Sequence, residues 1–160
     1  MSLDAILNII WITFLPFLEL RASIPYGVIS GSLHWSLVFL IAVVTNILLG
    51  FVLFVVIDKI IFYFTKIKFV DRLYGQYVLR TRERVHSLVE KYGEWGIAIF
   101  IGIPLPGSGV YSGALAAYLL GLEKKKFFVA CVVGVLIAGV IVTLVSVSGL
   151  EAFQLFLKKV

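Results

Sequence analysis

A carboxylate and a guanidinium stand two residues apart in "LPFLELRASIPYG" (15–27), with Pro16 before them and Pro25 after them. Glu19 can load and unload a proton. Burial pulls such a group toward the neutral acid, while an adjacent cation pulls it toward the carboxylate. Arg21 stays charged, and its planar fork suits a phosphate or a carboxylate. The residues on either side are apolar enough to enter a bilayer, where ionisable groups are expensive and functional by default. Two plainer readings stand beside this one. The pair could be a structural ion pair at a turn, or a shallow pair that meets interfacial water. Arg21 could equally hold Glu19 or cap the carbonyls of a broken helix.

A second stretch, "IGIPLPGSGVYSG" (101–113), has no charge but breaks a helix just as strongly, with Pro104, Pro106, Gly107 and Gly109. Proline removes a backbone hydrogen bond and clashes with the preceding turn, and glycine adds local freedom. The broken backbone offers N–H and C=O groups, and Ser108, Tyr111 and Ser112 add neutral polar contacts. Such half-helix ends can coordinate an ion. A tight turn that lets helices pack closely is the equal alternative. Asn46, with Thr45, is polar in the middle of an otherwise apolar run. It reads first as an interhelical hydrogen bond and second as a substrate contact.

These residues need elements to hold them, and composition says which. Of the 160 residues, 61% are hydrophobic and 14% charged, and mean hydropathy is +1.09. A soluble domain averages about 45–50% apolar and about 25% charged. The chain therefore reads as one all-α integral membrane domain. The start "MSLDAILNII" has neither a basic region nor a small-residue cleavage site, so no cleavable signal is expected. There is no CxxC, HExxH or P-loop pattern and no nucleophile–base set. No enzyme activity, cofactor or metal is expected. The single cysteine, Cys131, reads as a small buried hydrophobe.

Four apolar segments cover residues 5–31, 33–57, 93–121 and 127–150. The second and fourth carry no charge and are long enough to cross about 30 Å of hydrocarbon. The first and third hold the two breaks. Each is either a kinked full span or a re-entrant hairpin with two arms of about ten residues, reaching about 15 Å. The polar connector 58–92 holds eight basic residues and should be cytoplasmic. The re-entrant form keeps Lys124, Lys125 and Lys126 on that same side and is favoured for that reason. Within the connector, "VLRTRERVHSLVEKYGEWG" (78–96) has the spacing of an amphipathic interfacial helix. The pI of 9.4 reflects this positive-inside bias, so no nucleic acid partner is expected.

A shift of 90 residues lays Leu15–Pro16 on Leu105–Pro106, Phe17 on Gly107, Ser23 on Gly113 and Gly31 on Gly121. It also lays 33–57 on 123–147. Broken segment, glycine and unbroken span occur twice in the same order. With a cytoplasmic connector the copies enter the membrane from opposite faces, which is an inverted-topology repeat. The expected domain runs over 1–160: repeat one 3–57, connector 58–92, repeat two 93–150 and a short tail 151–160. Each repeat is a re-entrant helical hairpin plus a transmembrane helix. The two breaks should meet near the midplane around a polar cavity.

The stretches "PFLELRASIPYGVISG" and "PLPGSGVYSGALAAYLLGL" resemble the two signatures of the small multidrug export protein family, in the right order. That family is similar to the DedA superfamily of VTT-domain membrane proteins, which includes lipid scramblases. The resemblance implies two re-entrant hairpins, each packed on a spanning helix, in a transporter or lipid-translocating protein that is often dimeric. One departure stands out. The usual DedA pattern has arginines in or near the second hairpin, whereas here residues 96–122 carry no charge. Arg21 would have to take that role from the other side. Small multidrug resistance transporters, of similar size, lack the adjacent arginine and the double proline break.

The expectation is therefore a DedA-like transporter in the plasma membrane of a prokaryote. It would move an amphiphilic or lipid-headgroup-like substrate, with possible proton coupling through Glu19 and Arg21. The expected site comprises Glu19, Arg21, Pro25, Pro104, Pro106, Gly107, Ser108, Gly109, Tyr111 and Ser112, with Asn46 secondary. Membrane lipids and a second copy of the chain are the expected partners. A gradient-independent phospholipid scramblase and a non-transporting scaffold are the alternatives.

Overall fold

The computed structural model describes residues 3–31, 33–65, 89, 92, 95–105 and 107–157. Among them are six helices and no strand: α1 (Leu3–Phe14), α2 (Glu19–Ser30), α3 (Trp35–Thr65), α4 (Trp95–Gly102), α5 (Val110–Leu119) and α6 (Lys124–Leu157). Most of connector 58–92, including nearly all of the expected amphipathic helix, lies outside the described residues. The part within them, up to Thr65, continues α3. The expected tail is helical to Leu157 as the end of α6.

Length separates the helices into two kinds. Trp35–Ile57 of α3 and Lys124–Leu150 of α6 are long and apolar enough to cross a membrane. The other four have 12, 12, 8 and 10 residues. At 1.5 Å per residue none exceeds about 18 Å, well short of about 30 Å of hydrocarbon. The outer surface is apolar. On α1, Leu3, Leu7, Trp11 and Phe14 are exposed along one stripe, and on α3 so are Leu40, Val44, Leu48, Val52 and Val55. Water would penalise such stripes, and lipid accepts them. This is a membrane protein.

The two long helices form the centre and run antiparallel. Val43 packs at Gly139, Gly50 meets Cys131, and Phe54 stacks on Phe127 with ring centroids 4.2 Å apart. Around them, α1 packs on α2 and α3, while α4 packs on α5 and α6. Helix α2 reaches both α3 and α6, and α5 likewise reaches both α6 and α3. Exchanging α1, α2 and α3 with α4, α5 and α6 therefore returns the same set of packed pairs. Close approach of α4 to α6 depends on Gly134, where an added Cβ would lie 2.7 Å from both the Ala98 carbonyl oxygen and Ile101 Cβ.

The breaks are made by local sequence. Pro16 ends the first arm, and a turn of residues 15–18 follows, with Leu18 and Glu19 N–H both donating to Leu15 O at 3.2 Å. Phe17 and Glu19 take positive φ of 68° and 48°, which is unusual for side chains of that bulk. Pro25 does not break the chain as the sequence suggested; it sits inside α2. The bond it cannot donate falls to Arg21, in the first turn, so the loss is one bond near a helix end. Helix α5 closes in a Schellman motif, with Leu122 N–H donating to Ala117 O and Gly121 N–H to Tyr118 O. Among the described residues, the positive-φ positions fall into pairs 90 apart: Phe17 with Gly107, Glu19 with Gly109, and Gly31 with Gly121.

Candidate functional site

The site begins with four groups of unpaired backbone atoms. Any helix leaves N–H groups free at its start and C=O groups free at its end, and each broken segment adds one such start and one such end inside the fold. The second segment supplies no charge to satisfy them. The first does.

Glu19 opens α2 and is 2% exposed. Its carboxylate reaches across to the start of α5, where Val110 N–H donates to Oε2 at 3.2 Å and Tyr111 N–H donates to Oε1 at 3.4 Å. Arg21 Nη1 donates to Oε2 at 3.1 Å. Negative charge at a helix start is favoured by the partial positive charge there. Gly109 is what permits the approach. A Cβ at this position would lie 2.5 and 2.7 Å from the Glu19 carboxylate oxygens, and closer still to Arg21 Nη1.

Arg21 serves the other half of the same break. Its Nη2 donates to Ile101 O at 3.3 Å, to Ile103 O at 3.1 Å and to Ser108 Oγ at 3.1 Å. The cation thus sits at the end of α4, where the helix dipole is negative. Ser108 Oγ lies 2.6 Å from Ile103 O and 2.8 Å from Leu105 O, and so folds the 103–108 turn on itself. The first break is capped in return: Tyr111 OH donates to Phe14 O at 2.6 Å, at the end of α1. Thr13 Oγ1 also bonds Ile9 O and Ser23 Oγ, each at 2.7 Å, and ties α1 to α2.

The structure brings together Glu19, Arg21, Ser108, Gly109 and Tyr111. Asn46, 1% exposed, faces the Glu19 carboxyl from α3. Ser112 is buried behind them, with Oγ 3.5 Å from Gly109 O. Gly107 shapes the turn with φ of 81°, and Pro104 is half-buried within it. Pro25 lies one turn beyond Arg21 inside α2 and does not join the cluster. Pro106 lies outside the described residues. The polar cavity expected between the breaks is filled here by the Glu19 and Arg21 side chains. The contacts that sequence reasoning missed are backbone groups: Val110 N–H, and the carbonyls of Phe14, Ile101 and Ile103. Residue type does not mark them, although the prolines signal that orphaned groups must lie nearby.

Arg21 therefore reaches from the first segment into the uncharged second one. The family comparison covers the second arm of the first segment and all of the second. A family model described as "Putative small multi-drug export protein" matches residues 19–141, about three-quarters of the chain. The chain belongs to the small multi-drug export protein family. The match opens at Glu19 and contains Glu19, Arg21, Asn46, Ser108, Gly109 and Tyr111, the whole of α3, the second break and the first half of α6. No curated protein and no solved structure matches the chain.

Proposed function

We propose that this member of the small multi-drug export family is a membrane transporter built as an inverted-topology repeat, and that Glu19 is its proton-loading group. In this reading α1–α2 and α4–α5 are re-entrant hairpins, each packed on its own spanning helix. Three features support the repeat: the positive-φ pairs 90 residues apart, the packing set that survives exchange of the halves, and reciprocal capping. Positions 21 and 111 are also 90 apart. Arg21 caps the end of α4, and Tyr111 caps the end of α1.

The observation that carries the functional reading is the buried Glu19 carboxylate holding Val110 N–H, Tyr111 N–H and Arg21 together. It is the joint between the two halves. A proton on Glu19 removes the charge from all three bonds. Hydrogen bonds to charged groups are worth about 1.5–3 kcal/mol and neutral ones about 0.5–1.5, so roughly 1 kcal/mol is lost per bond and about 3 in all. That is a factor of more than ~100, enough to raise an open state from about 1% to near parity. Opening the joint frees Arg21 and the start of α5 for a polar headgroup, while the apolar exterior carries the rest of an amphiphile. The reading includes a DedA-like relationship, the plasma membrane of a prokaryote with the basic connector inside, and a homodimer, because two spans and four short helices enclose little volume alone.

Reconstituted into liposomes, wild type should move a fluorescent amphiphile faster with an imposed pH gradient than without one. Glu19→Gln should lose that difference. Equal flux in the two proteins removes the coupling role. Gradient-independent loss of a fluorescent phospholipid to dithionite assigns scrambling in its place.

A further inference from the structure

Each hydrogen bond described above for the Glu19 carboxyl is one that it accepts, from Val110 N–H, Tyr111 N–H and Arg21 Nη1. This set suits the ionised group. It gives the O–H of the protonated group nothing to bond to. Arg21 has only donors. The Tyr111 hydroxyl is turned to the other break, where it donates to Phe14 O.

Asn46 differs from all of these. It projects from the middle of α3 and is 1% exposed; one turn along that helix Gly50 packs against Val110, whose N–H reaches the Glu19 carboxyl, and Asn46 faces the same carboxyl. Its Oδ1 is buried without a hydrogen-bond partner. Buried unpaired acceptors are few in native proteins, and each asks for a reason. A carboxamide carries two donors on one side and an acceptor on the other, in nearly the same shape. A half-turn about its last torsion exchanges the two faces without needing space. Such a group can serve both protonation states of a carboxyl.

We propose that Asn46 is the acceptor for the proton of protonated Glu19, its amide turning over as the proton binds and back as it leaves. This rests on the reading of Glu19 as the proton-loading group. The proton comes from water and forms an O–H bond on one carboxyl oxygen. That O–H donates to Asn46 Oδ1, and Nδ2 swings away. Val110 N–H, Tyr111 N–H and Arg21 then face a neutral group. Among the described residues, the other titratable groups around Glu19 are Arg21 on α2, Tyr111 on α5 and Cys131 on α6. From α3, Asn46 is the group that faces it.

The sequence makes the test clean, because Asn8 and Asn46 are its two asparagines. The full chain is made with carbonyl-labelled asparagine in an Asn8→Gln background, reconstituted in lipid and titrated by infrared spectroscopy. Glu19 is identified as the carboxyl signal missing from Glu19→Gln. The Asn46 carbonyl band should shift with the same midpoint as the Glu19 signal, and should stay fixed in Glu19→Gln. In Asn46→Leu the Glu19 acid band should move and change its response to deuterium, because its O–H has lost its acceptor. An Asn46 band that ignores a titrating Glu19, or an acid band unchanged in Asn46→Leu, overturns the proposal. If Glu19 never protonates while the protein stays folded, the proton-loading reading falls and this one falls with it.

Discussion

Gly109→Ala tests the close approach at the break, with Gly121→Ala as the reference for a positive-φ glycine in open space. Both glycines have positive φ, 137° and 67°. Backbone strain at such positions costs about 1–3 kcal/mol for a residue with a Cβ. At Gly121 nothing lies within 4 Å of the added Cβ, so strain is the whole cost. At Gly109 the Cβ would sit 2.5 and 2.7 Å from the two Glu19 oxygens. The carboxylate tip can shift only by giving up what holds it, two backbone N–H groups and Arg21. Displacing it loses the bonds to Val110 and Tyr111. At 3.2 and 3.4 Å these are long, so the low end of about 1.5–3 kcal/mol applies to each. The lost bonds alone therefore make Gly109→Ala about 3 kcal/mol more costly than Gly121→Ala, and the Gly109 backbone, with φ of 137° and ψ of −171° in a region essentially reserved for glycine, widens the gap. Reversible unfolding by dodecyl sulfate in mixed micelles, followed by tryptophan fluorescence, measures both. Equal losses in the two variants would refute the picture of a carboxylate packed against the Gly109 backbone.

Other outcomes follow from the same geometry. Arg21→Lys keeps the charge but loses the fork that spans Glu19, Ile101 O, Ile103 O and Ser108. It should lose about 1.5–3 kcal/mol in the same unfolding assay; wild-type stability would mean that a point charge suffices. Tyr111→Phe keeps the backbone N–H and loses the bond to Phe14 O, so it should cost about 0.5–1.5 kcal/mol and leave the pH response of transport unchanged. Gly109→Glu puts two carboxylates in one place and should be the most damaging single change. Adding Glu19→Gly moves the charge to the matching position of the other half and should recover part of the loss, as a negative double-mutant coupling. Additive losses would count against a two-fold relation between the halves.

Much of the fold is legible in the sequence because the bilayer imposes simple demands. A charge-free run of more than twenty residues has to be a spanning helix, and 33–57 and 127–150 lie largely within α3 and α6 for that reason. Pro16 and the Pro104–Gly109 stretch fall at breaks because proline and glycine act locally on the backbone. Pro25 was misleading. Its missing bond falls in the first turn of a short helix, and surrounding packing holds the helix together. Glu19 and Arg21 stand out by cost alone, since the membrane interior makes any ionisable residue conspicuous. The Thr13–Ser23 pair was invisible, because hydroxyls at helical spacing occur wherever helices pack.

What the sequence determined by itself was the membrane class, the two spans, the two breaks and the identity of the charged pair. These depend on composition and on interactions a few residues long. What only the tertiary structure decided was where each charge goes. Glu19 serves the start of α5 and Arg21 the end of α4, some 80 to 90 residues away. Their partners are backbone groups, which every residue carries alike and no sequence labels. Only the fold, by bringing one broken helix against the other, selects which of those groups need a charge and which charge they receive.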